Sequence, residues 1–180
     1  ALIGASALLL GGNDAQKQEW LRKIAEGKAI FALAVDEGSH HTPGKSALKV
    51  SGGKLSGEKK YVADGHIADA FIVATNDALY LVKADAAGVK RRELITVDSR
   101  GAADVTFDNA AAEKLGGGAD VVERLLDRAR IGLAAEMLGQ AQASFEITTE
   151  YLKTRKQFGQ VIGGFQALQH RAAKLFTDIE

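Results

Sequence analysis

The stretch best equipped for chemistry is Tyr151-Leu152-Lys153-Thr154-Arg155-Lys156-Gln157-Phe158-Gly159-Gln160-Val161-Ile162-Gly163-Gly164-Phe165-Gln166. A helical pattern ends there in a basic turn. An aromatic residue, a glycine and a new helix with a glutamine near its start follow. Such a segment offers a guanidinium for a pyrophosphate, an aromatic ring for a flat ring, and amide donors and acceptors beside a helix N-terminus. The same residues also suit a plain helix-connecting elbow with Arg155 in solvent, and on chemistry alone the two readings stand level.

Other constellations offer less. Gly38-Ser39-His40-His41-Thr42-Pro43-Gly44-Lys45-Ser46 approaches a phosphate-cradling loop, but five residues separate its glycines where the motif needs four. A strand pattern follows it, whereas the chemistry needs a helix N-terminus aimed at the phosphate. His40 and His41 are adjacent, and neighbours on an extended chain point opposite ways, so they do not share one metal ion. His66 and His170 stand alone in the sequence, and surface histidines are expected. Gly116-Gly117-Gly118 before a helix reads as a flexible linker. Lys90-Arg91-Arg92 reads as a solvated face on a strand edge that deters edge pairing.

These residues are carried by a segregated set of elements. Asn13 or Asp14 caps a helix with Trp20, Leu21 and Ile24 on one face, and Gly27 stops it. A short apolar run over 31–35 leads into a loop over 36–44. From there to about 115, alternating stretches at 47–50, 59–62, 70–75, 79–82 and 105–107 are separated by Gly, Asn and Asp, the pattern of an antiparallel β unit. Asn76-Asp77 sits where a tight hairpin turn is expected. After the glycine run, Asp120 is placed to cap a long helix reaching about 154. Gly132 and Gly139 lie on nearly one face of it, which suggests close helix–helix packing. Another helix runs to the end, with Leu168, Ala172 and Leu175 on one side. The fold class is therefore α+β in separate blocks. It comprises an antiparallel β-barrel or sandwich over 28–115, the end of a helical domain over 1–27, and the first two antiparallel helices of a truncated bundle over 119–180.

Composition narrows the function classes. The chain has 180 residues, with 23 basic and 23 acidic side chains and no cysteine. Zero net charge gives no electrostatic ground for a nucleic acid or an anionic membrane as partner. It also removes one barrier to self-association. Disulfides, thiolate metal sites and cysteine nucleophiles are excluded. Residues 1–10 are apolar but lack a basic n-region, so they read as a buried helix end and not as a signal peptide. Neither a membrane span nor secretion is indicated, and a cytoplasmic location is expected. The opening at Ala1 inside an apolar run, and the close at Asp178-Ile179-Glu180 in a helical pattern, suggest a piece of a longer chain.

The stretch from Tyr151 resembles the Y-x-x-x-R-x-Q-F-G-x-x-I-x-x-F-Q signature of the acyl-CoA dehydrogenases, matched by Tyr151, Arg155, Gln157, Phe158, Gly159, Ile162, Phe165 and Gln166. The resemblance spans the chain. Gly12-Asn13-Asp14-Ala15-Gln16-Lys17-Gln18-Glu19-Trp20-Leu21 is similar to a helix of that family. Gly57-Glu58-Lys59-Lys60-Tyr61-Val62-Ala63-Asp64-Gly65 with Ala68-Asp69 is similar to its G-x-K-x-[FWY]-[IV]-[ST] strand. Arg130, Ala134 and Gly139 match its first helix after the β-domain.

The resemblance implies an FAD enzyme that oxidises an acyl-CoA thioester to the 2,3-enoyl-CoA and passes electrons to an electron-transferring flavoprotein. It also implies a homodimer or homotetramer in which each FAD touches two subunits. Carried over by position, the loop over 33–42, with Val35, Asp36 and Ser39, would run along the flavin and the start of the acyl chain. Tyr61, Val62 and Ala63 would line the other flavin face. Arg155, Gln157 and Phe158, with Phe165 and Gln166 beside them, would reach the FAD of the partner subunit, and Asp127 and Arg130 would face the CoA portion. The family's T-E-P-G-x-G-S-D loop is altered: Glu37 is kept, Asp36 replaces Thr and Gly38 replaces Pro. Ala63 replaces a hydroxyl residue near flavin N5. Asp36 would set a carboxylate near the pyrimidine edge and lower the reduction potential or weaken binding. No catalytic base is named: the usual Glu falls in the family's final helical domain beyond residue 180, and the position used by a minority is Ala129. The altered loop leaves two alternatives open. One is an inactive FAD-binding or oligomerisation remnant, and the other is a flavin monooxygenase or nitroalkane oxidase type.

Overall fold

In a computed structural model describing residues 2–180, the chain divides into two compact units, one ending at Ala129 and the other comprising Arg130–Glu180. Ala1, the first residue of the expected N-terminal helical segment, lies outside the described residues.

The first unit begins with helices α1 (Leu2–Gly11) and α2 (Asp14–Ala25). Asn13 caps α2 through a reciprocal pair: its side chain accepts the Gln16 N–H at 2.9 Å, and the Gln16 side chain accepts the Asn13 N–H at 3.0 Å. The helix stops where Gly27 turns left-handed, with φ 69°. Two four-stranded sheets follow. One contains β1 (Phe31–Ala34), β4 (Ala70–Ala74), β5 (Leu79–Lys83) and β8 (Glu113–Lys114), in the order β1-β4-β5-β8. The other contains β2 (Lys49–Ser51), β3 (Lys54–Ala63), β6 (Val89–Leu94) and β7 (Ala102–Ala111), in the order β2-β3-β7-β6.

Alternation distributes the core over layers. On β4 and β5, Ala70, Ile72, Ala74, Leu79 and Leu81 face a cluster with Leu8, Trp20, Phe31 and Leu125. Phe71, Val73, Tyr80 and Val82 face the opposite way, onto Leu55, Val62, Val105 and Phe107 of the second sheet. The first sheet is thus covered on both faces, and β4 reads as an unbroken apolar run for that reason. The second sheet has one face in solvent. Trp20 meets Phe31 edge-on at 5.1 Å, and Phe71 meets Phe107 edge-on at 6.1 Å. Asn76-Asp77 forms the expected tight turn between β4 and β5, held by the Thr75 hydroxyl, which accepts the Ala78 N–H at 3.2 Å.

Two expectations are corrected. The β region is not a closed barrel, because the two sheets stay separate. Nor is it wholly antiparallel: β1 pairs β4 in parallel, Phe31 with Ala70 through Ala34 with Val73. Residue alternation sets which face a strand buries and says nothing of its direction.

Helix α3 (Gly118–Thr154) starts in the first unit, where Val121, Val122, Leu125 and Leu126 are buried. In the second unit its remainder is followed by β9 (Lys156–Gln157), β10 (Gln160–Val161), a 3₁₀ turn over Ile162–Gly164 and α4 (Gln166–Ile179). Phe145 of α3 and Phe176 of α4 meet with ring centroids 6.2 Å apart. The close packing expected at Gly139 is not met within the chain, where a methyl group there would touch nothing within 4 Å. Among the described residues no helix is long and apolar enough to cross a membrane.

Candidate functional site

The loop between β1 and β2 is fixed by a buried ammonium. Lys59 of β3 is fully buried, and its Nζ donates to the Val35 carbonyl at 2.7 Å and to the Glu37 carboxylate at 2.8 Å. Glu37 also accepts the Ser46 hydroxyl at 2.5 Å and the Ala47 N–H at 2.8 Å. Burial works against the Glu37 charge, but the hydrogen bonds from Lys59, Ser46 and Ala47 outweigh it and hold the carboxyl below its ordinary range. Burial pulls the Lys59 ammonium below its ordinary range, and Glu37 returns part of that loss. Next along β3, the Lys60 N–H donates to the Asp36 carbonyl at 2.7 Å. Residues 35–37 therefore run beside residues 59–60.

At that point β3 carries a bulge. Lys59 pairs with Val105 and Val62 with Ala103, so Lys60 and Tyr61 together oppose Asp104. The Asp104 side chain, 3% exposed, fills the gap left by the extra residue. It accepts the Tyr61 N–H at 3.1 Å and the Lys60 ammonium at 3.2 Å, and it also pairs with Arg92. Tyr61 is held left-handed at φ 52°, with its ring 62% exposed. A non-glycine residue in that region is costly unless its surroundings fix it.

Val35 and Asp36 thus lie beside Lys59 and Lys60; Tyr61 and Ala63 further along β3 are exposed, and Val35 and Asp36 partly so. Ser39 is exposed further along the loop. Val62 points into the core at 2% exposure, so it offers backbone here and not a side chain. The Asp36 carboxylate is already engaged by His41 Nδ1 at 2.9 Å and by the Thr42 N–H at 3.0 Å. His41 is therefore a partner of Asp36. Residues 42–48 continue as irregular chain to β2, with no helix for a phosphate cradle.

The segment after α3 is a hairpin and not a plain elbow. Gln157 pairs with Gln160 and Lys156 with Val161. Phe158 and Gly159 form its two-residue turn at φ 55° and 77°, the left-handed pair that suits a tight hairpin. The turn throws the Phe158 ring outward at 89% exposure, edge-on to Phe165 at 6.0 Å. Arg155, Gln157 and Gln166 are exposed beside it, and Asp127 and Arg130 are exposed on α3.

Sequence reasoning missed the Lys59–Glu37 pair and Asp104. Lys59 and Glu37 were each visible as motif matches, but nothing local joins residues so far apart in the chain. Of the basic cluster expected to be solvated, Arg91 instead donates to the His66 and Ala68 carbonyls at 3.1 Å, and Arg92 meets Asp104. A cleft of about 520 Å³ is lined by Trp20, Lys23, Lys83 and Arg91 among others and by no residue of the loop or bulge. Its Lys83 is paired with Glu19 at 2.8 Å.

The family description "Acyl-CoA dehydrogenase, C-terminal domain" matches residues 116–180. The mitochondrial short/branched chain specific acyl-CoA dehydrogenase of Bos taurus is 31% identical over 94% of this chain and 44% of its own length. Acyl-CoA dehydrogenase FadE27 of Mycobacterium tuberculosis is 31% identical over 99% of this chain and 50% of its own length. The chain is thus similar to the acyl-CoA dehydrogenases along its length, and over residues 116–180 to their C-terminal domain. It spans about half the length of the relatives it matches. Among solved structures, the Tcur3481-Tcur3483 steroid ACAD, as its G363A variant, superposes with TM-score 0.89 at 31% identity, over 99% of this chain and 51% of that one. The elements that differ from expectation, the parallel β1–β4 pair and the hairpin at Phe158, therefore sit within the acyl-CoA dehydrogenase fold.

Proposed function

We propose that this chain carries part of the flavin and CoA sites of an FAD-dependent acyl-CoA dehydrogenase, which oxidises an acyl-CoA thioester to the 2,3-enoyl-CoA. The division would be the end of the N-terminal helical domain over 1–27, the middle β-domain over 28–115 and the first helices of the C-terminal domain over 119–180. One observation carries the reading. Two segments far apart in sequence, 35–37 and 59–63, lie side by side through the Lys60 N–H to Asp36 carbonyl bond. They form an edge with an exposed aromatic ring at Tyr61.

The residues present fit a flavin. Tyr61 offers an aromatic face, and the backbone of 35–36 is pinned against that strand. Arg155 offers a guanidinium suited to a pyrophosphate, and Phe158 a projecting ring, for the FAD of a neighbouring subunit in a homodimer or homotetramer. When bound, FAD would accept the two electrons of the oxidation, which an electron-transferring flavoprotein would collect. This chain's residues bind and orient. Asp127 and Arg130 would meet the CoA portion. Asp36 keeps its carboxylate on His41 and the Thr42 N–H, which softens the charge it would bring to a flavin edge. Ala63 favours a second reading, a flavin-binding and oligomerisation module without turnover, since its methyl group supplies no hydroxyl near the reactive nitrogen.

The test is FAD binding by the purified chain, followed in the visible spectrum. A flavin band that persists through gel filtration is expected, and Arg155→Ala should weaken binding about tenfold or more, the loss of one charged hydrogen-bonded contact. A colourless protein that cannot be reconstituted overturns the reading. Bleaching of the bound flavin by an acyl-CoA would rule out the inactive module.

A further inference from the structure

We infer that Lys59 is the positioning residue for this site: its buried ammonium, with Glu37 as its partner, joins both ends of the loop over 35–46 and sets that loop against the Tyr61 bulge. The inference rests on the flavin reading above for its ligand, but its geometry stands apart from it. Lys59 is fully buried. Its Nζ reaches Val35 at the start of the loop, Glu37 just after it, and the Ser46 hydroxyl at the far end at 3.5 Å. Glu37 closes the ring by accepting from Ser46 and Ala47. Asn76 ties the same end, accepting the Ser46 N–H at 2.6 Å and donating to the Ser46 carbonyl at 3.0 Å.

Around Lys59 the packing of Val35, Thr42, Thr75, Val122 and Leu126 leaves no room for a water molecule. Removing the ammonium takes the shared donor from the Val35 carbonyl and the Glu37 carboxylate, and leaves Glu37 only its bonds from Ser46 and Ala47. The cheapest response is for the loop to lift into water, which carries Val35 and Asp36 away from Tyr61. Asp36 is the other charged group facing Lys59, and its carboxylate is held by His41 and Thr42.

The experiment compares Lys59→Met, Lys59→Arg and the unaltered full chain by amide hydrogen exchange and FAD titration. Lys59→Met should speed exchange across 36–48 while 70–74 keeps its protection, and weaken FAD about tenfold or more. Lys59→Arg, which keeps the charge and donors, should recover part of both. Unchanged exchange across 36–48 in Lys59→Met overturns the inference, as does an FAD affinity equal to that of the unaltered chain. If Lys59→Met fails to fold, Glu37→Gln replaces it, with the same two outcomes. If the unaltered chain binds no FAD, the flavin reading fails, and the exchange data alone decide whether Lys59 sets the loop.

Discussion

Two ionised side chains buried within one strand's reach are costly unless each is fully bonded, and Lys59 and Asp104 meet that condition differently. Lys59 is bonded to a loop, whereas Asp104 is bonded to the bulge, through the Tyr61 N–H, Lys60 and Arg92. Burial opposes the Asp104 charge, but those bonds outweigh it and hold its carboxyl below the ordinary range, as they do for Glu37. A carboxyl whose folded pKa is depressed stabilises the fold at pH above its unfolded pKa, and that stability is lost as pH falls through the folded value. Unfolding free energy should therefore hold near neutrality and decline below about pH 4. Asp104→Asn should cost about 1–3 kcal/mol at neutral pH, because an amide nitrogen cannot accept and would face Lys60 or Arg92. It should also flatten the acid decline. Urea unfolding at a series of pH values checks both, and a variant with the same acid slope would remove Asp104 from the account. The motif around Lys59 was legible in sequence as a match at each position. The bonds were not, since Glu37 and Asp104 reach their partners only once the strands are paired.

At the scale of elements, local chemistry was read best where it is self-contained. Asn13 and Gln16 form their capping box within one turn, and Gly27 ends the same helix, so both ends of α2 could be read from the residues alone. Asn13→Ala should cost about 1 kcal/mol, the typical value of a lost N-cap, seen as a lower thermal midpoint with the sheet signals intact. A larger loss would mean that Asn13 carries more than the cap. The direction of β1 was not readable, because parallel and antiparallel partners bury the same alternate residues. The hairpin at Phe158 was missed for a related reason. Its strands, Lys156–Gln157 and Gln160–Val161, are too short to alternate, and a phenylalanine in a left-handed turn is not the residue that signals one. The turn nevertheless projects the ring that the family signature marks, so the conformation that hid the element also exposes its side chain.

At the scale of the molecule, the two units differ in how they exclude water. The unit ending at Ala129 holds both core clusters. In Arg130–Glu180 no residue of α4 is buried, and α3 buries nothing beyond Leu126. Ile131, Met137 and Ile147 stand 70%, 61% and 72% exposed. A helix gains most of its stability from packing an apolar face, so a face left in water leaves that helix near the low end of local stability. Amide exchange on the chain alone should therefore be faster by orders of magnitude over 131–152 than over 71–73, 80–82 and 103–107, with limited proteolysis cutting first beyond residue 130. The Phe145–Phe176 contact is too small to reverse this, since an aromatic pair contributes about 0.5–1.5 kcal/mol beyond its buried area. Equal protection in the two regions would mean that the apolar stripe is covered in solution. Dilution then discriminates: exchange over 131–152 that quickens as protein concentration falls identifies a second copy as the cover, as the proposed oligomer requires.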